Sequence, residues 1–454
     1  MDCEAMPSDL SKHLLAKLSA SFDRCVAERA SIEVGLSGGL DSVVLLHLLK
    51  RLSNEKQFEL SAVHVHHGLQ QAADGWPEFC SEVCQDLKVP FRVEYVQADI
   101  GKIGVEAGAR KARYQVFMGG TADFVALAHH QDDQVETFML SALRGSGIRG
   151  LSAMPELRAL DEVHWLWRPL LGVTRRELMA YAQLHDLKYV DDPSNSDESL
   201  LRNWLRNTGL PAWRERLPFL DHHIMASIKT LQEELAVLDE VSEQDKRAIY
   251  HAGFFDCSVW RKLAAARQSR QLLFMVKENN IGIPTQASLN DFRRVLNECG
   301  SGSAEWCLPE GKIYAYQNRL FCVGDDWLDD CFWLNKQCLS ENKAGNLRAV
   351  LEAANFKLCR HLYGLREDVL GQVGGVRAVN TDDVVELTVG HKKVRKLLQE
   401  CKIPPFVRPY WPVITNKEDR CIAVANLWIN PSYACLNGVF PYFEKFSCFV
   451  LEPK

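Results

Sequence analysis

The sequence predicts an α/β protein in which a doubly wound parallel sheet forms the first domain, a helical middle domain follows, and a mixed α+β domain ends the chain. Three observations predict this class. The 454 residues are enough for roughly two to four domains. Short apolar runs alternate with helical patterns over about the first 150 residues, which is typical of parallel strands with right-handed crossovers. The pattern changes near Pro218 and near residue 340, so we predict domains at 1–217, 218–335 and 336–454.

The first domain contains four predicted strands, each followed by a predicted helix. The strands are Ser31–Leu36, Glu59–His64, Phe91–Val96 and Asp123–Ala128. The helices are one with Val43, Val44, Leu45, Leu48 and Leu49 after a glycine turn, then one around Phe79–Leu87, Glu106–Met118 and Asp132–Leu143. Ligands of such sheets bind beyond the carboxyl ends of the strands. Three of the four strands run directly into unusual loops, where we expect the functional site.

The rest of the chain carries weaker patterns. Residues 219–300 are predicted to be helical because four apolar residues recur at helical spacing: Leu231, Leu235, Leu238 and Val241. Two β-like segments follow, Ile313–Tyr316 and Arg319–Val323. The last block is richer in Val, aromatic residues, Gly and Pro, which favours a mixed α+β domain.

Composition and cysteine use exclude several classes of protein. Apolar residues make up 47% of the chain and charged residues 25%, which excludes collagen-like and intrinsically disordered chains. The 15 cysteines are odd in number and form no C-x-x-C pair, unlike the dense framework of a small secreted protein. Because we find no secretory signal and no apolar run of membrane-spanning length, we expect a cytoplasmic protein with no membrane partner.

The loop after the first strand is predicted to bind phosphate. Ser37-Gly38-Gly39-Leu40-Asp41-Ser42 connects a strand to a helix. Its glycines let backbone N–H groups approach an anion, the helix N-terminus adds partial positive charge, and both serines can donate hydrogen bonds. The loop lacks the Lys of a Walker A motif. An ordinary capped helix start is the alternative, but the strand–turn–helix context favours a phosphate site.

This loop looks like the pyrophosphate loop of the ATP pyrophosphatase (PP-loop) superfamily, and further segments resemble one family within it, the tRNA(Ile)-lysidine synthetases. These segments follow the family's order: His64-Val65-His66-His67-Gly68-Leu69, EAGARKARY from Glu106 to Tyr114, HHQDDQVET from His129 to Thr137, RGSG from Arg144 to Gly147, DPSN from Asp192 to Asn195, RNWLR from Arg202 to Arg206, GHKK from Gly390 to Lys393 and PPFVR from Pro404 to Arg408. Gln70 stands where the family usually has Arg.

The resemblance implies a two-step ligation that uses ATP and Mg²⁺. ATP would adenylate the carbonyl oxygen of the wobble cytidine in tRNA(Ile) with a CAU anticodon, and the ε-amine of free L-lysine would then expel AMP to form lysidine. The implied ATP-binding residues are Ser37, Gly38, Gly39, Leu40, Asp41 and Ser42, with Asp41 also expected to hold Mg²⁺. The candidate catalytic residues are Asp41, His129, Asp133 and Arg113. We expect Asp133 to bind or deprotonate lysine and Arg113 to contact the α-phosphate region.

Two clusters of basic residues are predicted to bind the tRNA. The first contains Arg202 and Arg206, with Arg214 and Arg216 nearby, and the second contains Lys392, Lys393, Arg395 and Lys396. The net charge of −6 argues mildly against a nucleic-acid partner, yet residues 387–408 carry six basic residues and one acidic residue. The distribution of charge is therefore more informative than its sum. The oligomeric state is left open, with a homodimer as one option.

Several of these residues have an alternative structural explanation. His64 and His66 alternate on a strand and are as readily packed as functional. Asp132 and Asp133 could serve only as helix-capping acids. Arg110 and Arg113 could lie on a solvated helix face, although two arginines near an anion site favour function.

Two other functions remain open at this point. A tRNA thiolase would share the ATP chemistry but would need a reactive or cluster-binding cysteine, whereas Cys80 and Cys84 are better explained as packed thiols. A non-catalytic nucleotide-binding module would need neither the HHQDDQVET segment nor a basic C-terminal domain. ATP–pyrophosphate exchange would distinguish such a module from an enzyme.

Overall fold

The computed structural model describes residues 7–68, 73–96, 105–251, 254–329, 331, 346–387 and 390–450. The chain divides into two compact units, Met1–Asp239 and Glu240–Lys454. None of the helices in the described ranges combines the length and the apolar composition that a membrane crossing requires.

The first unit is built on a six-stranded, mostly parallel sheet. Its strands are β1 Ser31–Gly35, β2 Glu59–His66, β3 Phe91–Tyr95, β4 Phe124–Ala126, β5 Leu157–Ala159 and β6 Trp165–Trp167. Its helices are α1 Pro7–Cys25, α2 Leu40–Leu52, α3 Trp76–Leu87, α4 Val105–Met118, α5 Gln131–Leu143, α6 Ile148–Leu151, α7 Arg175–Leu184, α8 Leu201–Trp204, α9 Leu210–Arg216 and α10 Leu220–Ile249, the last of which continues into the second unit. A 3₁₀ turn at Pro193–Ser196 and a π-helical turn at Leu205–Gly209 complete the list.

The doubly wound parallel sheet predicted from the sequence is confirmed. Each of the four predicted strands and helices is present, with ends that differ from the prediction by at most three residues. Strands β5 and β6 have three residues each, which is too short for an alternating pattern to indicate a strand. The order of the strands is β3-β2-β1-β4-β6-β5, with β5 antiparallel to β6.

The topology of the sheet brings two loops together. Strand β1 pairs in parallel with β2 on one side and with β4 on the other, with Val34 opposite Ala126. The chain order therefore reverses between β1 and β4, and such a switch point leaves a crevice at the carboxyl ends of the strands. The loops after Gly35 and after Ala126 both open into this crevice.

Helix α2 anchors the first of these loops in the core. Nine of its 13 residues are buried, beginning with Leu40 and ending with Leu52. Eight of the nine, all except Ser42, share one apolar cluster with Leu14 and Leu18 of α1 and Leu178 of α7. Because α2 starts directly after Gly39, the position of the loop is fixed by the packing of the whole unit.

The second unit combines helices with small antiparallel sheets. Its strands are β7 Tyr250–His251, β8 Phe254–Asp256, β9 Ala304–Leu308, β10 Gly311–Tyr316, β11 Arg319–Gly324, β12 Lys357–Leu365, β13 Gly374–Ala378, β14 Val384–Glu386, β15 His391–Lys393, β16 Pro412–Asn416, β17 Cys421–Val424, β18 Trp428–Ile429 and β19 Ala434–Tyr442. Its further helices are α11 Cys257–Trp260, α12 Ala265–Glu278, α13 Gln286–Glu298, α14 Leu347–Ala353, α15 Glu367–Leu370 and α16 Val394–Glu400. Short 3₁₀ turns lie at Arg408–Tyr410, Pro431–Tyr433 and Glu444–Phe449.

The middle region is helical, as predicted, and also contains a five-stranded sheet in the order β7-β8-β11-β10-β9. The predicted β-like segments Ile313–Tyr316 and Arg319–Val323 fall on β10 and β11. After them come a four-stranded sheet, β13-β16-β17-β18, and two ribbons, β12-β19 and β14-β15. The predicted domain boundary at residues 335 and 336 lies outside the described residues, and the three-domain division stays a prediction.

Candidate functional site

The loop after β1 is held in one conformation by its own side chains. Gly38 has a φ of +88°, and a Cβ atom there would lie 3.3 Å from the Sγ atom of Cys80, so glycine suits this position. The hydroxyl of Ser42 donates to the carbonyl of Gly39 over 2.9 Å and accepts from the N–H of Ser37 over 3.2 Å. These bonds aim the loop and the N-terminus of α2 into the crevice, as an anion site requires.

Two cavities meet at the loop. The first, of about 270 Å³, has apolar walls that include Leu36, Val63 and Phe117, with Arg113 among its polar lining residues. The second, of about 230 Å³, is lined by the loop itself, including Gly39 and Asp41. Both cavities share three lining residues: Ser37, Trp76 and Asp192. An apolar chamber next to a phosphate loop suits a nucleotide whose base and phosphates need different surroundings.

His130 connects the loop after β1 with the loop after β4. Its Nε2 atom is 3.6 Å from an oxygen of Asp41 and 3.6 Å from an oxygen of Asp133, and its Nδ1 atom is 3.7 Å from Asp132. Burial opposes the charged imidazolium, but the interactions with Asp41, Asp133 and Asp132 outweigh it and raise the pKa of His130. The surrounding carboxylates thus favour the protonated form of this buried histidine beside the predicted phosphate site.

The pKa of His129 is shifted in the opposite direction. Burial lowers its pKa to about 3, and the charges of Arg168 and Arg113 act in the same direction against the opposing effect of Asp133. Its Nδ1 atom is buried without a hydrogen-bond partner among the described residues. A neutral imidazole at neutral pH can accept or donate a hydrogen bond without contributing charge.

Two buried carboxylates and two arginines form a network next to the histidines. Asp133 accepts hydrogen bonds from Arg202 over 3.2 Å, from Arg206 over 3.1 Å and from the backbone N–H of His130 over 3.0 Å. Glu136, which is 1% exposed, accepts from the Nε atoms of Arg202 and Arg206 over 2.9 and 2.6 Å. Burial acts to raise the pKa of Asp133, but His130, His129 and Arg202 together lower it. Asp133 is thus ionised at neutral pH.

The same network bears on two predicted tRNA-binding residues. The guanidinium groups of Arg202 and Arg206 lie against Asp133 and Glu136, and both side chains remain partly exposed. The structure therefore brings these arginines into the candidate active site. Their contact with tRNA stays a prediction.

Asp41 is suited to hold a divalent cation. Its Oδ1 atom is buried and has no hydrogen-bond partner among the described residues, while its Oδ2 atom faces His130. Mg²⁺ commonly binds through one or two carboxylates together with substrate phosphates. The described residues contain no group of three or more His, Cys, Asp or Glu side chains able to hold a metal ion. A single carboxylate next to a phosphate loop fits Mg²⁺ that arrives with ATP.

The predicted residue Arg113 lines the first cavity. Its Nε atom is buried without a hydrogen-bond partner among the described residues. Burial lowers the pKa of its guanidinium, with the charge of Arg110 acting in the same direction. An unused, buried N–H donor of this kind is suited to an anion.

The histidines at the end of β2 have different surroundings. His64 is packed, with its Nδ1 atom 2.8 Å from the carbonyl oxygen of Leu36 and 3.6 Å from the Sγ atom of Cys80. His64, His66 and His67 all line the first cavity, and the Nδ1 atom of His67 has no hydrogen-bond partner among the described residues. Leu69 and Gln70, which belong to the same sequence segment, lie outside the described residues.

Cys80 and Cys84 are packed thiols, as the spacing argument favours. Both are buried in the core of the first unit, and burial raises the pKa of each thiol to about 12. Such thiols are protonated at neutral pH and are poor nucleophiles.

The predicted basic residues near the C-terminus line a surface groove of the second unit. The groove of about 720 Å³ includes Lys392, Lys393, Arg395, Lys396 and Arg408. Lys393, Arg395 and Lys396 are exposed, whereas Lys392 is partly buried and pairs with Glu400 over 2.7 Å. This surface, which we call the C-terminal basic groove, has the charge that a phosphate backbone requires.

Sequence reasoning did not single out three residues of the site. His130 and Glu136 lie within the HHQDDQVET segment, and Asp192 lies in the DPSN segment and lines both cavities. The sequence segments indicate the region, but only burial and distance show which carboxylates face which cations.

Comparisons with known proteins agree with this geometry. Three family models match the chain: a PP-loop domain at residues 10–213, a TilS substrate binding domain at 255–321 and a TilS substrate C-terminal domain at 384–439. A tRNA(Ile)-lysidine synthase from Neisseria meningitidis serogroup B is 40% identical over 413 residues, which cover 91% of this chain and 96% of the relative. A protein of the same name from Chromobacterium violaceum is 33% identical over 97% of this chain and 99% of the relative. Another, from Pseudomonas aeruginosa, is 35% identical over 87% of this chain and 89% of the relative.

The sequence relatives match this chain along most of their length, and the loop Ser37–Ser42 lies within the matched PP-loop domain. The chain belongs to the tRNA(Ile)-lysidine synthase family.

Proposed function

We propose that this chain is a ligase that forms lysidine on tRNA(Ile). It uses ATP to activate the carbonyl oxygen of the wobble cytidine in the CAU anticodon and then joins the base to the ε-amine of free L-lysine. The observation that carries the proposal is the position of His130, whose Nε2 atom is 3.6 Å from both Asp41 and Asp133. The phosphate loop and the HHQDDQVET segment thereby form one site.

The first step is the transfer of AMP to the base. The carbonyl oxygen of cytidine attacks the α-phosphorus of ATP, the bond to the β-phosphate breaks, and pyrophosphate leaves. The loop Ser37–Ser42 donates hydrogen bonds to the phosphates, and His130 in its protonated form would offset negative charge that develops there. Mg²⁺, held by Asp41 and the phosphates, would supply further charge stabilisation.

Arg113 is suited to the α-phosphate. Its unused Nε donor lies in the wall of the first cavity, which also contains Ser37 of the loop. With the base of ATP among the apolar residues of that cavity, the α-phosphate comes between loop and arginine. There a guanidinium stabilises charge that increases in the transition state.

The second step is the attack of lysine on the activated ring carbon. The ε-ammonium group first loses a proton to a nearby base or to water; its nitrogen then bonds to the carbon, the carbon–oxygen bond to the adenylate breaks, and AMP leaves with that oxygen. The ionised carboxylate of Asp133 is suited to bind the ammonium group of lysine, with the partly exposed Arg202 and Arg206 as further polar groups for the amino acid. The lowered pKa of Asp133 favours binding of lysine over strong base catalysis by this residue.

The tRNA must present an unstacked base to this site, and its backbone needs positive charge. The anticodon loop splays out the wobble base, as enzymes that modify bases require. The C-terminal basic groove supplies cations for the phosphate backbone. We assign Lys392, Lys393, Arg395 and Lys396 to this contact.

The test is incorporation of labelled lysine. The full chain is incubated with ATP, Mg²⁺, radiolabelled L-lysine and tRNA(Ile) with a CAU anticodon, and lysine appears in the tRNA with release of AMP. Initiator tRNA, which shares the CAU anticodon, tests selectivity, and Asp41→Asn should lower incorporation about 100-fold. If wild-type protein leaves no label in tRNA(Ile), the proposed function is wrong.

A further inference from the structure

Four arginines surround Tyr114 at one edge of the first unit. Arg110 and Arg113 lie with Tyr114 on α4, Arg158 lies on β5, and Arg168 follows β6 directly. The hydroxyl of Tyr114 accepts a hydrogen bond from Arg110 over 2.9 Å. The guanidinium carbons of Arg110 and Arg158 are 5.0 and 5.2 Å from the centre of the tyrosine ring. We call these four residues the arginine cluster.

The arginine cluster has no matching anion. In the described part of the chain, the contacts of its guanidinium groups are to Tyr114 and to the carbonyl oxygen of Pro155, and none is to a carboxylate. Arg202 and Arg206, in contrast, are each paired with two carboxylates. Like charges held close together repel, so a bound anion would stabilise such an arrangement.

The cluster also offers hydrogen-bond donors that the protein does not use. The Nε atoms of Arg113 and Arg168 are buried without a partner among the described residues, and Arg168 is only 1% exposed. Arg110 and Arg158 are exposed at the rim. The cluster therefore forms a path of positive charge from the surface to Arg113 in the wall of the first cavity.

The α-phosphate of ATP accounts for Arg113 but not for the exposed members of the cluster, Arg110 and Arg158. The loop that binds them lines the second cavity, and no member of the arginine cluster lines that cavity. Arg113 is the member that reaches the first cavity, whereas Arg110 and Arg158 face solvent. An anion that contacts both exposed arginines arrives from solvent and carries charge spread over several groups, as a nucleic-acid backbone does.

We propose that Arg110 and Arg158, the exposed members of the arginine cluster, bind phosphodiester groups of the RNA backbone beside the nucleotide that is modified, while Arg113 stays with the α-phosphate of ATP. Planar guanidinium groups are well matched to phosphate oxygens, and the face of Tyr114 keeps two of them in place. The cluster holds the backbone at the rim while the base enters the site. This inference rests on the proposed function, because it takes an RNA as the substrate.

The test measures RNA and ATP binding separately with the full chain. Arg158→Gln, Arg110→Gln and the double variant are titrated with a fluorescent anticodon stem–loop of tRNA(Ile) at several KCl concentrations. Each single variant should bind the RNA about tenfold more weakly, because a charged hydrogen bond is lost. The slope of log affinity against log salt should decrease by about 0.7–0.9 for each phosphate contact removed. Affinity for ATP, measured without RNA, should be the same as for wild type.

Two controls make the result specific. Arg24→Gln removes the same formal charge from an arginine of the first unit that is already paired with Glu156 over 2.8 Å, and it should bind the RNA like wild type. Arg158→Lys keeps the charge and should preserve the salt slope while losing part of the affinity. Because Arg110 and Arg158 are exposed, their substitution leaves the core intact.

Three results would overturn the proposal. Weaker ATP binding with unchanged RNA binding would make the cluster part of the nucleotide site. Unchanged binding of both ligands would leave it a packing feature around Tyr114, and an equal loss in Arg24→Gln would reduce the effect to bulk charge. Failure of wild-type protein to incorporate lysine would refute the proposed function, whereas the cluster would still be judged by the RNA titrations.

Discussion

Two sets of basic residues in this chain look alike as sequence and differ as structure. Arg202 and Arg206 lie against the buried carboxylates Asp133 and Glu136, whereas Lys393 and Arg395 are exposed along the C-terminal basic groove. In the first set each cation compensates a charge that the fold has removed from water. In the second set, Lys393 and Arg395 pair with no carboxylate among the described residues. The surrounding residues, rather than the residue type, therefore determine whether a basic side chain stabilises the fold, contributes to the active site or is available to bind RNA.

The largest effect expected from this difference is on stability. Glu136→Gln leaves two guanidinium groups without one of their two carboxylates, so the free energy of unfolding should fall by about 3 kcal/mol. The matched control Lys396→Gln removes an exposed charge and should change it by less than about 0.5 kcal/mol. Urea denaturation of the full chain, followed by tryptophan fluorescence, measures both. Equal losses of stability in the two variants would contradict the distinction between basic residues that pair with buried carboxylates and exposed basic residues.

The second prediction separates turnover from RNA binding. The triple variant Lys393→Gln, Arg395→Gln and Lys396→Gln should raise the KM for tRNA about 100-fold at physiological salt, because three phosphate contacts are lost. Arg206→Gln should instead lower kcat, because Asp133 loses one of the two arginine hydrogen bonds that hold its carboxylate. Steady-state kinetics with labelled lysine distinguishes the two. If Arg206→Gln raised the KM for tRNA and left kcat unchanged, Arg206 would belong with the residues that bind RNA.

The third prediction concerns acid. Burial, followed by the charges of His185 and Arg51, lowers the pKa of His47 to about 4, and burial lowers that of His129 to about 3. Their unfolded pKa is higher, so stability is fully present above about pH 6.5 and falls as the pH decreases towards the folded values, by up to about 1.4 kcal/mol per pH unit for each group. His47→Gln should flatten this slope in urea denaturation between about pH 7 and pH 5.

The second unit supplies the control for that experiment. Its three histidines, His251, His361 and His391, are all exposed. His361→Gln should therefore leave the pH dependence of stability as it is in wild type. An equal flattening by both substitutions would show that the acid sensitivity does not come from buried histidines.

The smallest predicted effect lies within the C-terminal basic groove. Lys392 is paired with Glu400, whereas the neighbouring Lys393 is exposed and has no such pair in the described residues. Lys393→Gln should reduce the salt slope of tRNA binding by about 0.7–0.9, and Lys392→Gln by less, because its ammonium group is already partly compensated. Fluorescence titrations at several salt concentrations measure the difference. Identical slopes would show that the ion pair opens when RNA binds.

The sequence was sufficient for strands β1 to β4 and for the strand–turn–helix context of the loop Ser37–Ser42. Alternating apolar runs and helical patterns mark β1 to β4 and their helices, and Ser37–Ser42 has a local signature that depends on few neighbours. Strands β5 and β6 could not be predicted because three residues carry no periodicity. Within the site, Asp133 and His129 were identifiable from a sequence segment.

The charge state of each site residue could not be predicted in the same way. His129 and His130 are adjacent in sequence, yet the pKa of one is lowered and that of the other is raised. Asp41, about 90 positions earlier in the chain, lies 3.6 Å from His130 and helps to raise its pKa, whereas burial and the charges of Arg168 and Arg113 lower that of His129. Likewise, the partners of Arg202 and Arg206 are more than 60 positions away in sequence. Only tertiary structure brings such charges together.

The enclosure of helix α2 has a consequence for motion. A helix with nine of 13 residues buried does not open by local fraying, so its amide protons should exchange with solvent only when the whole first unit unfolds. The phosphate loop is the N-terminal end of that helix and shares its rigidity. ATP would then meet a binding surface that is already formed before it arrives, and its binding would lose little free energy to ordering of the loop.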